Sequence, residues 1–281
     1  MIAGVTRYCP PLPVRFVLAC VLLTGLLGAP AFAQQPFIVD DAEVTPRRSW
    51  HLEMNLEWDK LRLSARPDLW QTVFDVEVGY GLAQRLEVSI DVPVITLASE
   101  APDRGIVDRR HVTGIGDTAM AVKYRFTRDA EATHAMAASL SVELPTGSRA
   151  RGLGSSLVDV GVTLGSQHHL TPALTLRVNG GAVLAGNTQT GALGIRQRGT
   201  VLTAGTSLVA TVSRRVLLGA EVVGAWAQSS TFGGSFVGWQ VGGNVLLRRG
   251  FTLDWGAIGG HTDASPALAL QVGCSIALSG Q

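Results

Sequence analysis

The sequence predicts an all-β fold, a transmembrane antiparallel up-and-down β-barrel of about twelve strands. Two patterns lead to this prediction. Twelve segments of the chain alternate apolar residues with polar or small ones, and the links between these segments are alternately short and long. In addition, no apolar run after residue 33 approaches the roughly 18 residues that a spanning helix needs. Alternation with period 2 places one face of each strand in lipid and the other in the lumen.

The first 33 residues have the pattern of a secretory signal peptide. Arg7 and Arg15 supply positive charge, the apolar stretch 16–28 follows, and the small-x-small sequence 31–33 precedes Gln34. This stretch is too short to cross a bilayer comfortably, which favours cleavage over retention as an anchor. We therefore expect residues 1–33 to be a cleaved signal peptide, residues 34–48 a periplasmic N-terminal segment, and residues 49–281 the barrel.

Cleavage changes the cysteine and charge balance of the chain. Cys9 and Cys20 leave with the signal peptide, so only Cys274 remains and the mature chain forms no internal disulfide. The mature chain keeps 21 basic and 22 acidic side chains, a net charge of −1. Nothing in this balance indicates nucleic-acid binding.

The first three predicted strands, 50–58, 70–80 and 85–94, have the clearest alternation. Tryptophan, leucine, methionine, phenylalanine and valine recur at every second position, and the intervening positions are largely acidic or polar. Each strand thus has an apolar face and a mostly polar face. The remaining strands have more Gly, Ala, Ser and Thr on the second face, and we predict them at 115–126, 134–144, 157–167, 173–182, 201–212, 215–226, 237–248, 251–260 and 267–279.

The links between the strands predict the orientation. Short links are typical of periplasmic turns and longer ones of outer loops. The short links lie near 81–84, 127–133, 168–172, 213–214 and 249–250, and the others near 59–69, 95–114, 145–156, 183–200, 227–236 and 261–266. An even number of strands then places both ends of the barrel on the periplasmic side.

Aromatic residues on the apolar face are predicted to form two girdles at the membrane interfaces. The outer girdle comprises Trp58, Trp70, Trp226 and Trp239, and the periplasmic girdle comprises Trp50, Tyr80, Tyr124, Phe126 and Phe251. Trp255 lies nearer the middle of its strand.

Four stretches, in order and spacing, resemble the MetA-pathway of phenol degradation family of outer-membrane barrels. They are Pro36-Phe37-Ile38-Val39-Asp40-Asp41 with Ser49-Trp50 and Glu53; Tyr80-Gly81-Leu82 with Leu86-Glu87; Gly114-Ile115-Gly116-Asp117 with Lys123-Tyr124-Arg125-Phe126; and Glu143-Leu144-Pro145-Thr146-Gly147 with Gly152-Leu153-Gly154-Ser155 and Asp159. The resemblance covers most of 36–181. It implies an outer-membrane transporter-like barrel, and the name of the family implies uptake of phenol-like compounds.

Charged residues on the predicted inner face are the candidate lumen and solute-binding residues. Acidic ones come first along the chain and basic ones follow. The candidates are Glu53, Glu57, Asp75, Glu77, Glu87, Asp91, Asp117, Lys123, Arg125 and Arg177, with Arg215 and Arg248 as further inward cations. One hypothesis is a transverse field that orients a polar solute; the alternative is a salt-bridge network that rigidifies a narrow barrel. We expect replacement of Glu87 or Asp91 by Lys to alter conductance or ion preference.

Asp40 and Asp41 precede the first strand and allow two interpretations. They fold into the periplasmic mouth and pair with Arg85, Arg125 or Arg248, or they belong to a solvated tail.

No enzyme or metal centre is predicted. The histidines are not placed with a serine and an orienting Asn or Asp on one outward face. The neighbours His168 and His169 point to opposite faces of a strand and have no evident third ligand. The glycines at 114, 116, 152 and 154 lack the following helix and Lys-Ser/Thr pair of a phosphate loop, and they are better explained by turns and bulges.

We therefore expect a passive channel in the Gram-negative outer membrane for small solutes, aromatic or hydrophobic ones among them, without a cofactor. Outer-membrane lipid, the solute and the barrel-assembly machinery are the expected partners. The alternatives are a structural or adhesive barrel with a closed lumen, and a soluble periplasmic β protein. The links 95–114 and 183–200 discriminate between the channel and the structural or adhesive barrel. They constrict a pore if they fold inward and bind partners if they fold outward.

Overall fold

A computed structural model describes residues 36–62, 68–100, 109–128, 132–185, 199–227, 235–262 and 265–279. The predicted signal peptide lies outside these residues. The strands are β1 (Ser49–Lys60), β2 (Asp68–Ala83), β3 (Leu86–Glu100), β4 (Arg109–Ile115), β5 (Thr118–Arg125), β6 (His134–Leu144), β7 (Asp159–Thr171), β8 (Leu174–Ala185), β9 (Gly199–Ser213), β10 (Val216–Ala227), β11 (Phe236–Arg248), β12 (Phe251–Gly260) and β13 (Leu268–Ser279).

The strands form one closed antiparallel barrel. Each strand pairs with its neighbours in the chain, except that β5 pairs with β3 and not with β4, and β1 pairs with β13 over its whole length, from Ser49 opposite Ser279 to Lys60 opposite Leu268. In hydrocarbon every backbone N–H and C=O needs a partner within the protein, and a closed sheet supplies these partners without leaving an edge. No helix in the described part of the chain is long and apolar enough to cross a membrane.

Twelve spanning strands result from thirteen segments because β4 and β5 are two parts of the fourth strand. Both pair with β3: β4 with its outer half, and β5 with its periplasmic half. The interruption falls at Gly116 and Asp117. The prediction of a twelve-stranded barrel is therefore confirmed. The fourth strand, predicted as one segment at 115–126, is interrupted and begins six residues earlier, at Arg109.

The alternation along the strands places the two faces as predicted. On the outer surface, apolar side chains such as Leu140, Val162 and Leu202 are about half exposed. The girdle residues Trp50, Trp70, Tyr124, Phe126, Trp226 and Trp239 are exposed as well. Phe251 lies opposite Ile276 and therefore on the outer face as predicted, but it is only 3% exposed because it packs against Cys274 and Ile276.

Candidate transport channel

The lumen contains the chain's own N-terminal segment, residues 36–46, which we call the plug. It enters at the end of the barrel that carries the short turns, assigned above to the periplasm. Val39 and Ala42 of the plug are almost completely buried, at 2% and 1% exposure. The backbone radius of a twelve-stranded barrel is roughly 12 Å, so one extended chain fills much of the space between the inward side chains.

The plug enters the barrel next to Gly81. The backbone N–H of Arg48 donates to the carbonyl of Gly81 at 2.7 Å, and Arg47 forms a bridge with the same residue. A Cβ atom at position 81 would collide with the carbonyl oxygens of Thr45 and Pro46. Only glycine leaves room for the chain here, which gives a physical reason for the glycine of the Tyr80-Gly81-Leu82 motif.

Three cationic side chains of the barrel wall bind carboxylates of the plug. The Lys123 ammonium lies 2.8 Å from Asp40 and 3.4 Å from Asp41. Arg125 contacts Glu43 at 2.5 Å, and Arg177 contacts Asp41 at 3.5 Å. Burial alone would raise the pKa of Asp41, but the Lys123 ammonium and the Arg177 guanidinium hold it below its ordinary value. Asp41 is therefore an anionic anchor of the plug.

Polar side chains of other strands bind the backbone of the plug. The Glu221 carboxylate accepts the N–H groups of Ile38 and Val39 at 2.8 and 2.9 Å. Glu87 accepts the N–H of Thr45 at 2.5 Å. The carbonyl of Pro36 accepts hydrogen bonds from the side-chain amides of Gln240 and Gln271. These partners lie on strands all around the barrel, so the plug is held across the lumen and not along one wall.

A second segment, the loop 145–157, enters the lumen from the outer side. Its Leu153 is 2% exposed and packs against Val73, Ile95 and Leu97 on the inner faces of β2 and β3. This apolar contact covers the outer part of the wall formed by β2, β3 and β4. The loop thus narrows the outer mouth on that side of the barrel.

Asp117, at the interruption of the fourth strand, fixes this loop. Its two carboxylate oxygens accept the backbone N–H groups of Gly147 at 2.9 Å and Ser155 at 2.6 Å. The Thr146 hydroxyl donates a hydrogen bond to the carbonyl of Gly116 at 2.8 Å. A Cβ atom at position 154 would collide with the Asp117 carboxylate. The third and fourth sequence motifs therefore meet in one structural unit.

Replacing Asp117 by Ala should release the loop. Hydrogen bonds to a charged group are each worth about 1.5–3 kcal/mol, so loss of two should shift loop opening by more than tenfold. We expect faster tryptic cleavage at Arg149 and Arg151, measured on the refolded protein. Ser148→Ala is the matched control, because the Ser148 side chain makes no capping bond. Equal cleavage rates for Asp117→Ala and the parent would contradict the role of Asp117 in holding the loop.

Between the plug and the outer mouth lies a cavity of about 390 Å³. One wall is apolar and is formed by Val183, Val201, Val223, Ala225 and Phe236. The adjoining wall, on β6, β7 and β8, is polar and includes Ser141, Glu143, Asp159, Thr163 and Asn179. Ile38 and Val39 of the plug complete the lining. A space of this size lies within the usual range of small-molecule pockets, about 300–1,000 Å³.

The predicted lumen residues occupy different surroundings. Glu87, Lys123, Arg125 and Arg177 contact the plug, and Asp117 holds the loop. The carboxylates of Glu53, Glu57, Asp75, Glu77 and Asp91 lie on the inner faces of β1, β2 and β3. Arg215 and Arg248 do not belong with them, because both are exposed at the periplasmic turns.

The partners of Asp40 and Asp41 differ from the arginines that the sequence suggested. They pair with Lys123, and Asp41 also pairs with Arg177; Arg125 binds Glu43 instead. Sequence reasoning also missed Glu221, Gln240 and Gln271. Each is a polar residue on the inner face of a strand that carries mainly small or apolar residues there, a signal visible in the sequence.

The closed twelve-stranded sheet, with an apolar outer face and a polar lumen, defines an outer-membrane β-barrel of the porin-like channel class. The family model described as "Putative MetA-pathway of phenol degradation" matches residues 69–278, and the chain belongs to this family. No curated protein matches the chain.

Solved structures share the fold. The COG4313 outer membrane channel from Pseudomonas putida F1 has a TM-score of 0.66 at 15% identity, with 85% of this chain and 98% of that one covered. The NanC porin has a TM-score of 0.53 and the KdgM porin 0.52, each at 9% identity, covering 80% of this chain and 98% of theirs. At these identities the likeness concerns the fold.

Proposed function

We propose that this protein is an outer-membrane channel for small solutes, aromatic or hydrophobic ones among them, and that the plug holds it closed in this conformation. The single observation that carries the proposal is the two-sided cavity above the plug. Its apolar wall offers contact to a ring, and its polar wall offers acceptors and donors to a hydroxyl or similar substituent. A general diffusion pore would not need such a wall of valines and phenylalanine.

The plug lines the cavity through Ile38 and Val39. A solute that enters from the outer mouth therefore rests on the plug, and passage to the periplasm requires the plug to move. Loss of the plug would also expose Lys123, Arg125 and Arg177 to the lumen. Lys123 and Arg125 lie on β5, next to the acidic inner face of β3, and Arg177 lies on β8, across the barrel from β1. The transverse field suggested by the sequence would then act on the solute in the open state.

The residues proposed to line the open path and orient the solute are Glu53, Glu57, Asp75, Glu77, Glu87, Asp91, Asp117, Lys123, Arg125 and Arg177. Among these, Asp91 is the better position for a test of the field hypothesis, because Glu87 also binds the plug backbone and its substitution would disturb the plug. In a plug-released barrel, Asp91→Lys should lower the preference for cations, measured as a shift of the reversal potential in a salt gradient. An unchanged reversal potential would contradict the field hypothesis.

Block of the ion current tests the solute site. In a plug-released barrel we expect phenol to reduce single-channel current, and Val201→Asn to weaken this block because it makes the apolar wall polar. Val73→Asn is the matched control: Val73 faces the lumen beneath Leu153 but does not line the cavity. Equal block in both variants would place the solute elsewhere.

The second candidate function is a structural or adhesive barrel with a closed lumen. The plug and the inward loop favour it, since both fill the lumen. It predicts no phenol-sensitive current even after plug removal. The outer links at 95–114 and 183–200, whose tips lie outside the described residues, would then be the place to look for partners.

Targeting remains part of the proposal. We propose that a cleaved signal peptide exports the chain and that the barrel-assembly machinery inserts it into the outer membrane. N-terminal sequencing of the protein from outer-membrane fractions should begin at Gln34.

A further inference from the structure

Two histidines face each other across neighbouring strands at the periplasmic end of the barrel. His134 begins β6 and lies directly opposite His168 on β7. Their Nδ1 atoms are 2.7 Å apart, and the ring centroids are 4.9 Å apart. Both side chains are on the outer face of the barrel wall, away from the cavity and the plug. The next residue, His169, lies on the other face and contacts Thr175.

We propose that His134 and His168 form a binding site for a divalent transition-metal ion, with water completing the coordination. Imidazole nitrogens suit Cu²⁺, Ni²⁺ and Zn²⁺. With bonds of about 2.0–2.1 Å, two ligand nitrogens lie about 2.9 Å apart in a square-planar site and about 3.4 Å apart in a tetrahedral one. A rotation of both rings that turns the two Nδ1 lone pairs toward a common point and separates the Nδ1 atoms by a few tenths of an ångström would create two adjacent positions of a square-planar site.

The surroundings prepare the pair for this role. The ladder between β6 and β7 fixes the two backbones from His134 to Glu143, so binding costs little ordering of the chain. Nδ1 of each ring points to the other ring, while Nε2 of His168 lies 3.3 Å from the Ser166 hydroxyl. A hydrogen bond to the second ring nitrogen of a histidine is a usual means of orienting it for a metal. Two facing imidazoles can share a proton, and a metal ion would replace that proton.

The cation class follows from the small number of ligands. A group of three or more side chains that could hold a metal is absent from the described residues. With only two imidazoles, the cation that binds such nitrogen ligands most strongly should be favoured, which is Cu²⁺ among the common divalent ions. A bound ion would link β6 to β7 next to the turn that connects β5 and β6.

Copper binding to the full mature chain, refolded in detergent, tests the proposal. We expect one Cu²⁺ per barrel with an electron paramagnetic resonance spectrum that shows two nitrogen ligands. Loss of an outer-shell partner of a metal ligand already costs about 10- to 100-fold in affinity, so His134→Ala and His168→Ala should each lose at least as much. His169→Ala is the matched control and should bind as the parent does.

Two outcomes would overturn the proposal. One is that the parent binds no stoichiometric Cu²⁺. The other is that His134→Ala and His168→Ala retain the parent's affinity and two-nitrogen spectrum. Heat-modified migration of each variant on gels reports whether the barrel has folded, and the outward position of both rings makes their loss compatible with folding.

Discussion

Replacement of residues 36–45 by a Gly/Ser segment of equal length should convert a closed barrel into a conducting one. The plug crosses the lumen and is held by strands around the whole barrel. With the plug gone, water and ions gain a path through a barrel of roughly 12 Å backbone radius. We expect single-channel conductance in planar bilayers to rise at least about tenfold over that of the intact mature chain.

A reversible lock provides the control for plug removal. Ala42 of the plug packs against Ala135 and Ala137 of β6. A disulfide between Ala42→Cys and Ala137→Cys, made with Cys274→Ser to avoid mispairing, should keep the barrel closed until a reductant is added. If the Gly/Ser variant folds and inserts but carries no more current than the parent, the plug does not close the channel.

Loss of the Lys123 charge should expel the plug without altering its sequence. Lys123 is buried and binds both Asp40 and Asp41. Removing one partner of a buried ion pair costs about 3–5 kcal/mol, which corresponds to a shift of about 150- to 5,000-fold in the equilibrium between inserted and released plug. Lys123→Gln should therefore raise the open probability in planar bilayers by a large factor.

Compensation distinguishes plug release from general damage to the barrel. Adding Asp40→Asn to Lys123→Gln removes the carboxylate whose ion pair was lost, while Asp41 keeps its contact with Arg177, and should restore closure in large part. Arg215→Gln, at an exposed turn, changes the net charge by the same amount as Lys123→Gln and should leave the current unchanged. A double variant that stays as open as Lys123→Gln would show that the pair of Lys123 and Asp40 does not determine plug insertion.

The sequence predicted the membrane-spanning part of this protein closely. The strands at 134–144 and 251–260 have the predicted bounds, and most others differ by a few residues at their ends. The reason is that lipid on one side and a polar lumen on the other impose a strict period of 2, which is visible residue by residue. The inner positions of Glu53, Asp75 and Lys123 follow from the same rule.

The contents of the lumen were not predictable in this way. Residues 36–46 have no strand period, and Asp40 and Asp41 alone did not indicate which cations they would meet. The interruption at Asp117 and the inward course of the loop after Pro145 likewise depend on contacts between segments about 30–40 residues apart in the chain. Local sequence does not encode such contacts, because their free energy comes from partners brought together only when the barrel closes.

Sequence alone therefore determined the class of the fold, the number of spanning strands and which side chains face the lumen, because the bilayer acts on each residue separately. The tertiary structure decided that the lumen is filled by a plug, which cations hold it, where the two-sided cavity lies, and that His168 faces His134. These features arise from strand register and chain crossing, which join residues that are distant in sequence.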